Sequence, residues 1–113
     1  MHELSLAGGI LRVLEQTRER DPFERITQLR LEVGALASVE IESLRFALNC
    51  IAADTILAGV SIEIDQPPGS AWCLPCGQSV AITSRLDACP HCGGFQLQPT
   101  GGTELRVVDM QVE

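Results

Sequence analysis

Apolar residues recur at helical spacing near the start of the chain. Leu4, Ala7, Leu11 and Leu14 fall three or four apart, with Leu6, Ile10 and Val13 beside them. The spacing predicts a helix over 4–18. Gly8 and Gly9 lie in its first turns and each costs about 1 kcal/mol relative to Ala, a cost that close packing against another backbone would explain. Asp21-Pro22 ends the element. Between 25 and 34 the period drops to two. Leu29, Leu31 and Val33 point one way, Arg30 and Glu32 the other, and Gly34 closes a half-buried strand. Ser38 is placed to cap a second helix, with Glu40 and Glu42 in its first turn. Ile41, Leu44, Leu48 and Ile51 form its buried stripe, and Cys50 near its end reads as a small buried apolar residue. Val60, Ile62 and Ile64 alternate with Ser61, Glu63 and Asp65 as a second strand. Gln66-Pro67-Pro68-Gly69 is a break, Gly101-Gly102 another, and 104–112 returns as a strand.

The order is helix, strand, helix, strand, a cysteine-bearing insertion, strand. It predicts an α+β fold. A three-stranded sheet and two helices form one lobe from 1–69 and 102–113, and a small β lobe over 70–101 is inserted between two of its strands.

Four of the five cysteines fall in two matched turns, Cys73-Leu74-Pro75-Cys76-Gly77 and Cys89-Pro90-His91-Cys92-Gly93, with twelve residues between the pairs. Two intervening residues let both thiolates of a pair face one ion. The following Gly can take positive φ, so the turn closes with backbone N–H groups near sulfur. Two such turns supply four soft ligands in a tetrahedron with no open position, which suits a structural Zn2+ rather than a catalytic one. A pair of redox dithiols needs only one such turn and a βαβ context that is absent. A rubredoxin-like iron centre uses the same loops but a chain devoted to it. A lobe of about 30 residues cannot bury enough surface to fold alone, so the metal supplies the missing stability. Trp72, just before the first ligand, is expected to shield the cluster, with partner docking as its second reading.

Composition narrows the partners. The 113 residues carry 8 basic and 15 acidic side chains, a formal charge of −7. Four thiolates and one zinc would move it to about −9. Lys is absent and Arg is scattered, which argues against nucleic acid and against an anionic membrane surface. No run approaches the roughly 18 apolar residues of a membrane span. Glu3 stands where an export signal would be basic, and Arg12 and Glu15 interrupt the apolar run. The expected compartment is the cytoplasm, where thiols stay reduced.

One of the two histidines is residue 2. The α-amine of Met1, the backbone nitrogen of His2 and its imidazole can reach one ion through a five- and a six-membered chelate ring. Ions with a square-planar preference, Ni2+ and Cu2+, can displace the amide proton. Met1-His2-Glu3-Leu4-Ser5-Leu6, followed some 65 residues later by two CxxCG knuckles, resembles the HypA/HybF hydrogenase-maturation nickel chaperones over nearly the whole chain. The resemblance implies a non-enzymatic metallochaperone with an α/β nickel-binding lobe and a small β zinc ribbon. Nickel, the transported cargo, would be bound at the terminus through His2 with the Met1 amine, and Glu3 would contribute its backbone nitrogen or help partner docking. Cys73, Cys76, Cys89 and Cys92 would hold zinc. The implied partners are a nickel-loading GTPase, the precursor of the [NiFe]-hydrogenase large subunit and, in some members, urease accessory proteins. Some relatives recruit a histidine of the zinc lobe as fourth nickel ligand. His91 is the one remaining histidine, but it lies inside a knuckle, and Glu3, an acidic side chain or water would serve as well. The competing function is a zinc-ribbon interaction module with no specific nickel site.

Overall fold

The computed structural model describes residues 2–113. Its elements are α1 (Glu3–Arg20), β1 (Ile26–Val33), α2 (Ile41–Ala52), β2 (Ser61–Asp65), β3 (Gly69–Cys73), β4 (Gln78–Ile82), β5 (Leu97–Gly101) and β6 (Leu105–Val112). The strands form two three-stranded sheets, in the orders β2-β1-β6 and β4-β3-β5. The fold is α+β, as the periodicities predict. No helix among the described residues is long and apolar enough to cross a membrane.

The chain divides into two compact units. One comprises Met1–Leu31, Val39–Ile64 and Val107–Glu113, the other Glu32–Ser38 and Asp65–Arg106. In the first, α1 buries Glu3, Ala7, Ile10 and Leu14, a stripe at steps of three and four. This stripe is rotated from the expected one, and Leu4 lies outside it, 58% exposed. The helix stops where expected: the Asp21 N–H donates to the Thr17 carbonyl just before Pro22. α2 buries Leu44, Ala47 and Leu48, while Ile41 and Ile51 are half-buried. On β1, Ile26, Leu29 and Leu31 are buried as well.

Three expectations fail here. Ser38 does not cap α2. It adopts φ 58, a left-handed turn conformation, and the cap is Glu40, whose carboxylate accepts the N–H groups of Glu42 at 3.3 Å and Ser43 at 2.7 Å. A residue spent on reversing the chain cannot also stand in the extended conformation a cap requires. Cys50 is exposed, not buried, because it follows Leu48 by two positions and so lies off the helix's buried stripe. Gly8 and Gly9 do not mark a close approach: an added Cβ would meet no atom within 4 Å at either, and nothing in the structure explains them.

Close approach is found instead at Gly34, where an added Cβ would lie 2.1 Å from the Gly102 carbonyl oxygen. The same contact carries hydrogen bonds: Gly34 N–H reaches the Glu104 carbonyl and Leu36 N–H the Gly102 carbonyl. Gly102 itself has φ 71 and abuts the backbone of Pro68 and Gly69.

These contrasts set an expected outcome. Gly8→Ala and Gly9→Ala each raise stability by about 1 kcal/mol, whereas Gly34→Ala lowers it, because backbone must move to admit the methyl group. Urea unfolding of the three single variants checks the signs.

Candidate metal centre

β3 ends at Cys73, and its alternation buries Ala71 and Cys73 while turning Trp72 outward. The chain then makes a turn closed by the Gly77 N–H on the Cys73 carbonyl at 2.8 Å, with Gly77 at φ 62. The second knuckle repeats this. Gly93 N–H reaches the Cys89 carbonyl at 2.9 Å, with Gly93 at φ 75, and the His91 N–H points at Cys89 Sγ at 3.4 Å. In both turns the glycine takes the positive φ expected of it.

The two turns bring all four thiols together. Cys73 Sγ and Cys92 Sγ lie 3.7 Å apart, Cys76 Sγ and Cys89 Sγ 3.9 Å, and all four sulfurs lie within 4.8 Å of one another. A tetrahedral ion with 2.3 Å bonds to sulfur sets its ligands about 3.8 Å apart. The four residues therefore fit one tetrahedral, thiolate-preferring ion. Cys73 and Cys89 are buried, Cys76 is half-buried and Cys92 is exposed.

The thiols differ in proton affinity. Hydrogen bonding to Cys73, then to Cys92, pushes the Cys76 thiol up to about 12, since a thiol that donates to a neighbouring sulfur holds its proton. The Cys92 backbone N–H, with help from that of His91, holds Cys89 down at about 6. In the metal-free cluster Cys89 thus gives up its proton well before Cys76. An ion that binds both as thiolates must expel a proton, so its binding strengthens as pH rises.

The core beneath the sulfurs is small: Leu36, Ala71, Cys73, Val80, Ile82 and Cys89, with Cys76 and Leu97 packed against it. Leu36 is the residue sequence reading missed. It lies far upstream of the cysteines, is 1% exposed, and is fixed by Arg85 Nε donating to its carbonyl at 3.1 Å. Gly69 has no Cβ because one would sit 2.4 Å from Leu36 Cγ. Only its being the one large apolar side chain between Gly34 and Ser38 hinted at it. Trp72 does not shield the cluster. It stands on the opposite face of β3 from Cys73 and is 41% exposed. His91 is exposed as well.

At the other candidate site, Met1 lies outside the described residues. α1 begins at Glu3, with His2 at its N-cap making no side-chain capping bond. His2 Nδ1 lies 3.5 Å from Glu3 Oε2. Glu3 is the one buried charged residue among those described, and its Oε2 also accepts the Glu40 N–H at 3.5 Å. The Glu40 that caps α2 therefore also meets the terminal motif, a link that its type and position in the sequence did not signal. The four-cysteine group is the one cluster of three or more potential metal ligands among the described residues.

The profile described as "Hydrogenase/urease nickel incorporation, metallochaperone, hypA" matches residues 1–112. The chain belongs to the HypA family. HypA from Cupriavidus necator, a hydrogenase maturation factor, is 58% identical over 113 residues, which is 100% of this chain and 95% of that protein. HypA from Polaromonas naphthalenivorans is 56% identical over 112 residues, covering 99% and 97%. The solution structure of the Ni metallochaperone HypA from Helicobacter pylori has a TM-score of 0.70 to this chain at 15% identity, covering 99% and 97%. That likeness shows a shared fold. The resemblance carried by the terminal hexapeptide and the doubled knuckles holds, and HypA proteins as a family are nickel metallochaperones for hydrogenase maturation.

Two outcomes follow for the cluster. Cys73→Ala and Cys92→Ala lose the ion, and amides 32–38 lose hydrogen-exchange protection together with 65–106 while those of α1 keep theirs. Leu36→Ala leaves every sulfur in place yet costs about 2–5 kcal/mol in its unit, seen as faster metal loss to a chelator.

Proposed function

We propose that this chain binds Ni2+ at its amino terminus as cargo and delivers it to the [NiFe]-hydrogenase precursor, while Cys73, Cys76, Cys89 and Cys92 hold a structural Zn2+. The observation that carries the reading is the start of α1. The first N–H groups of a helix have no intrahelical acceptor, and α1 begins at Glu3 with His2 at its N-cap. The His2 imidazole is 55% exposed and takes no part in capping. A three-nitrogen grip from the Met1 amine, the His2 amide and His2 Nδ1 thus draws nothing from the helix's own hydrogen bonds. The carbonyl of His2 accepts from Leu6 N–H at 3.0 Å, and a carbonyl is not one of the donors.

Glu3 steadies the grip. Its carboxylate lies beside Nδ1 and on the start of α2, so the imidazole is presented from a braced helix end. Its backbone nitrogen or a water completes the plane. The zinc set is chosen by chemistry: four thiolates at tetrahedral spacing favour Zn2+ and leave no position for a substrate. Planar geometry selects nickel over tetrahedral ions such as Zn2+, while Cu2+, which shares the planar preference and binds more tightly, is kept out by metal availability. Release comes from a partner's competing ligands or from protons, which compete for the imidazole and the amide nitrogen. The work is done in the cytoplasm with a nickel-loading GTPase, and urease accessory proteins are further candidates as partners.

Calorimetric titration of untagged, zinc-loaded protein tests this. One nickel binds per chain beyond the zinc. A single residue left ahead of Met1 turns the amine into an amide and abolishes tight binding, and His2→Ala does the same. Affinity falls from pH 8 to pH 6. A His2→Ala protein that binds Ni2+ as tightly as its parent overturns the assignment.

A further inference from the structure

Next to the terminal motif, α1 and α2 leave an open groove of about 360 Å³ lined by Glu3, Leu4, Ser43, Phe46, Ala47 and Cys50. Phe46 is 70% exposed and Leu4 58%. Neither is needed to hold the helices together, because Ala7, Ile10 and Leu14 of α1 and Leu44, Ala47 and Leu48 of α2 are the buried positions. Single exposed apolar residues are ordinary. Here two large ones, one from each helix, share a groove, and the thiol of Cys50 adds a further weakly polar wall.

The rim of the groove is acidic. Glu3 lines it, and Glu40 and Glu42 stand at the start of α2, with the Glu40 N–H on Glu3. The one basic residue of α2, Arg45, is committed elsewhere, its Nη1 donating to the Ile62 carbonyl of β2 at 2.9 Å. The first basic residue of α1 is Arg12, more than two turns along. A second copy of the chain would bring the same carboxylates to the contact and be repelled.

We propose that this groove is the docking site for a partner protein's amphipathic segment whose apolar side chains are flanked by Lys or Arg. Such a segment lays its apolar face over Leu4 and Phe46 and its cations over the exposed Glu40 and Glu42. The inference rests on the nickel reading for its purpose: a partner seated there stands next to His2, where ligands for cargo exchange must arrive. Phe46, aromatic and central, carries most of the contact.

The test is a chemical-shift titration of the full, zinc-loaded, untagged chain with two synthetic helical peptides of equal length, one of Leu and Lys, the other of Leu and Glu. The Leu/Lys peptide is expected to saturate, with shifts confined to residues 3–4 and 42–50. Phe46→Ala weakens it at least tenfold. Val13→Ala, which trims an equally apolar but distant exposed residue of α1, leaves it unchanged. Equal binding of both peptides, shifts spread over the chain, parent-like affinity of Phe46→Ala, or self-association of the parent that Phe46→Ala abolishes would each overturn the proposal. Nickel stoichiometry of Phe46→Ala is read alongside and stays at the parent's value. Loss of nickel binding in the parent itself would instead undo the cargo assignment and leave the groove's peptide binding standing.

Discussion

Convergence of four sulfur atoms is the constraint on which one whole unit rests. Six buried side chains, two of them the ligands Cys73 and Cys89, form its core, which is too little apolar surface to offset the ordering of some fifty residues. The strands add few buried groups: β5 is mostly exposed and β4 alternates. Without an ion, the thiols at the centre would present mismatched proton affinities in one packed cluster. An ion held by all four would replace that mismatch with metal–sulfur bonds, each far stronger than a dispersion contact. The upstream segment Glu32–Ser38 shares this dependence, since Leu36 is a wall of the same core.

The other unit needs no ion for its cohesion. Its buried apolar side chains are leucine, isoleucine and alanine, and the ends of β1 and β6 are joined by the Arg25–Glu113 ion pair at 2.7 Å, whose exposure makes it a minor contributor. The cargo grip proposed for this unit lies at the start of α1, with His2 at the N-cap. Separation of duties follows from chemistry. Thiolates close a permanent site, while a terminal amine, an amide and an imidazole make one that protons or a partner can open.

Much of this was legible in the sequence because it rests on short-range pattern. The switch between periods of 3.6 and 2 located both helices and β1, β2 and β6. The doubled CxxCG spacing located the sulfurs and the positive φ of Gly77 and Gly93. What stayed hidden depends on contacts distant along the chain. Leu36 is one apolar residue in a loop, and only the folded unit shows it against Cys73 and Cys89. Ser38 is the better cap by propensity, yet the turn demanded by placing Leu36 consumes it and hands the role to Glu40. Cys50 was misjudged because its type is usually buried while its helical phase is not. Gly8 and Gly9 attracted a packing explanation that belongs to Gly34 and Gly102.

Trp72 is the chain's single tryptophan, and it stands outward on β3, paired in register with Ser79 and Gln98. Its fluorescence therefore samples the surface of the sulfur-bearing sheet and nothing else, while the helical dichroism signal arises wholly from α1 and α2 in the other unit. The molecule thus carries its own pair of independent optical gauges, one for each unit, without any label being attached.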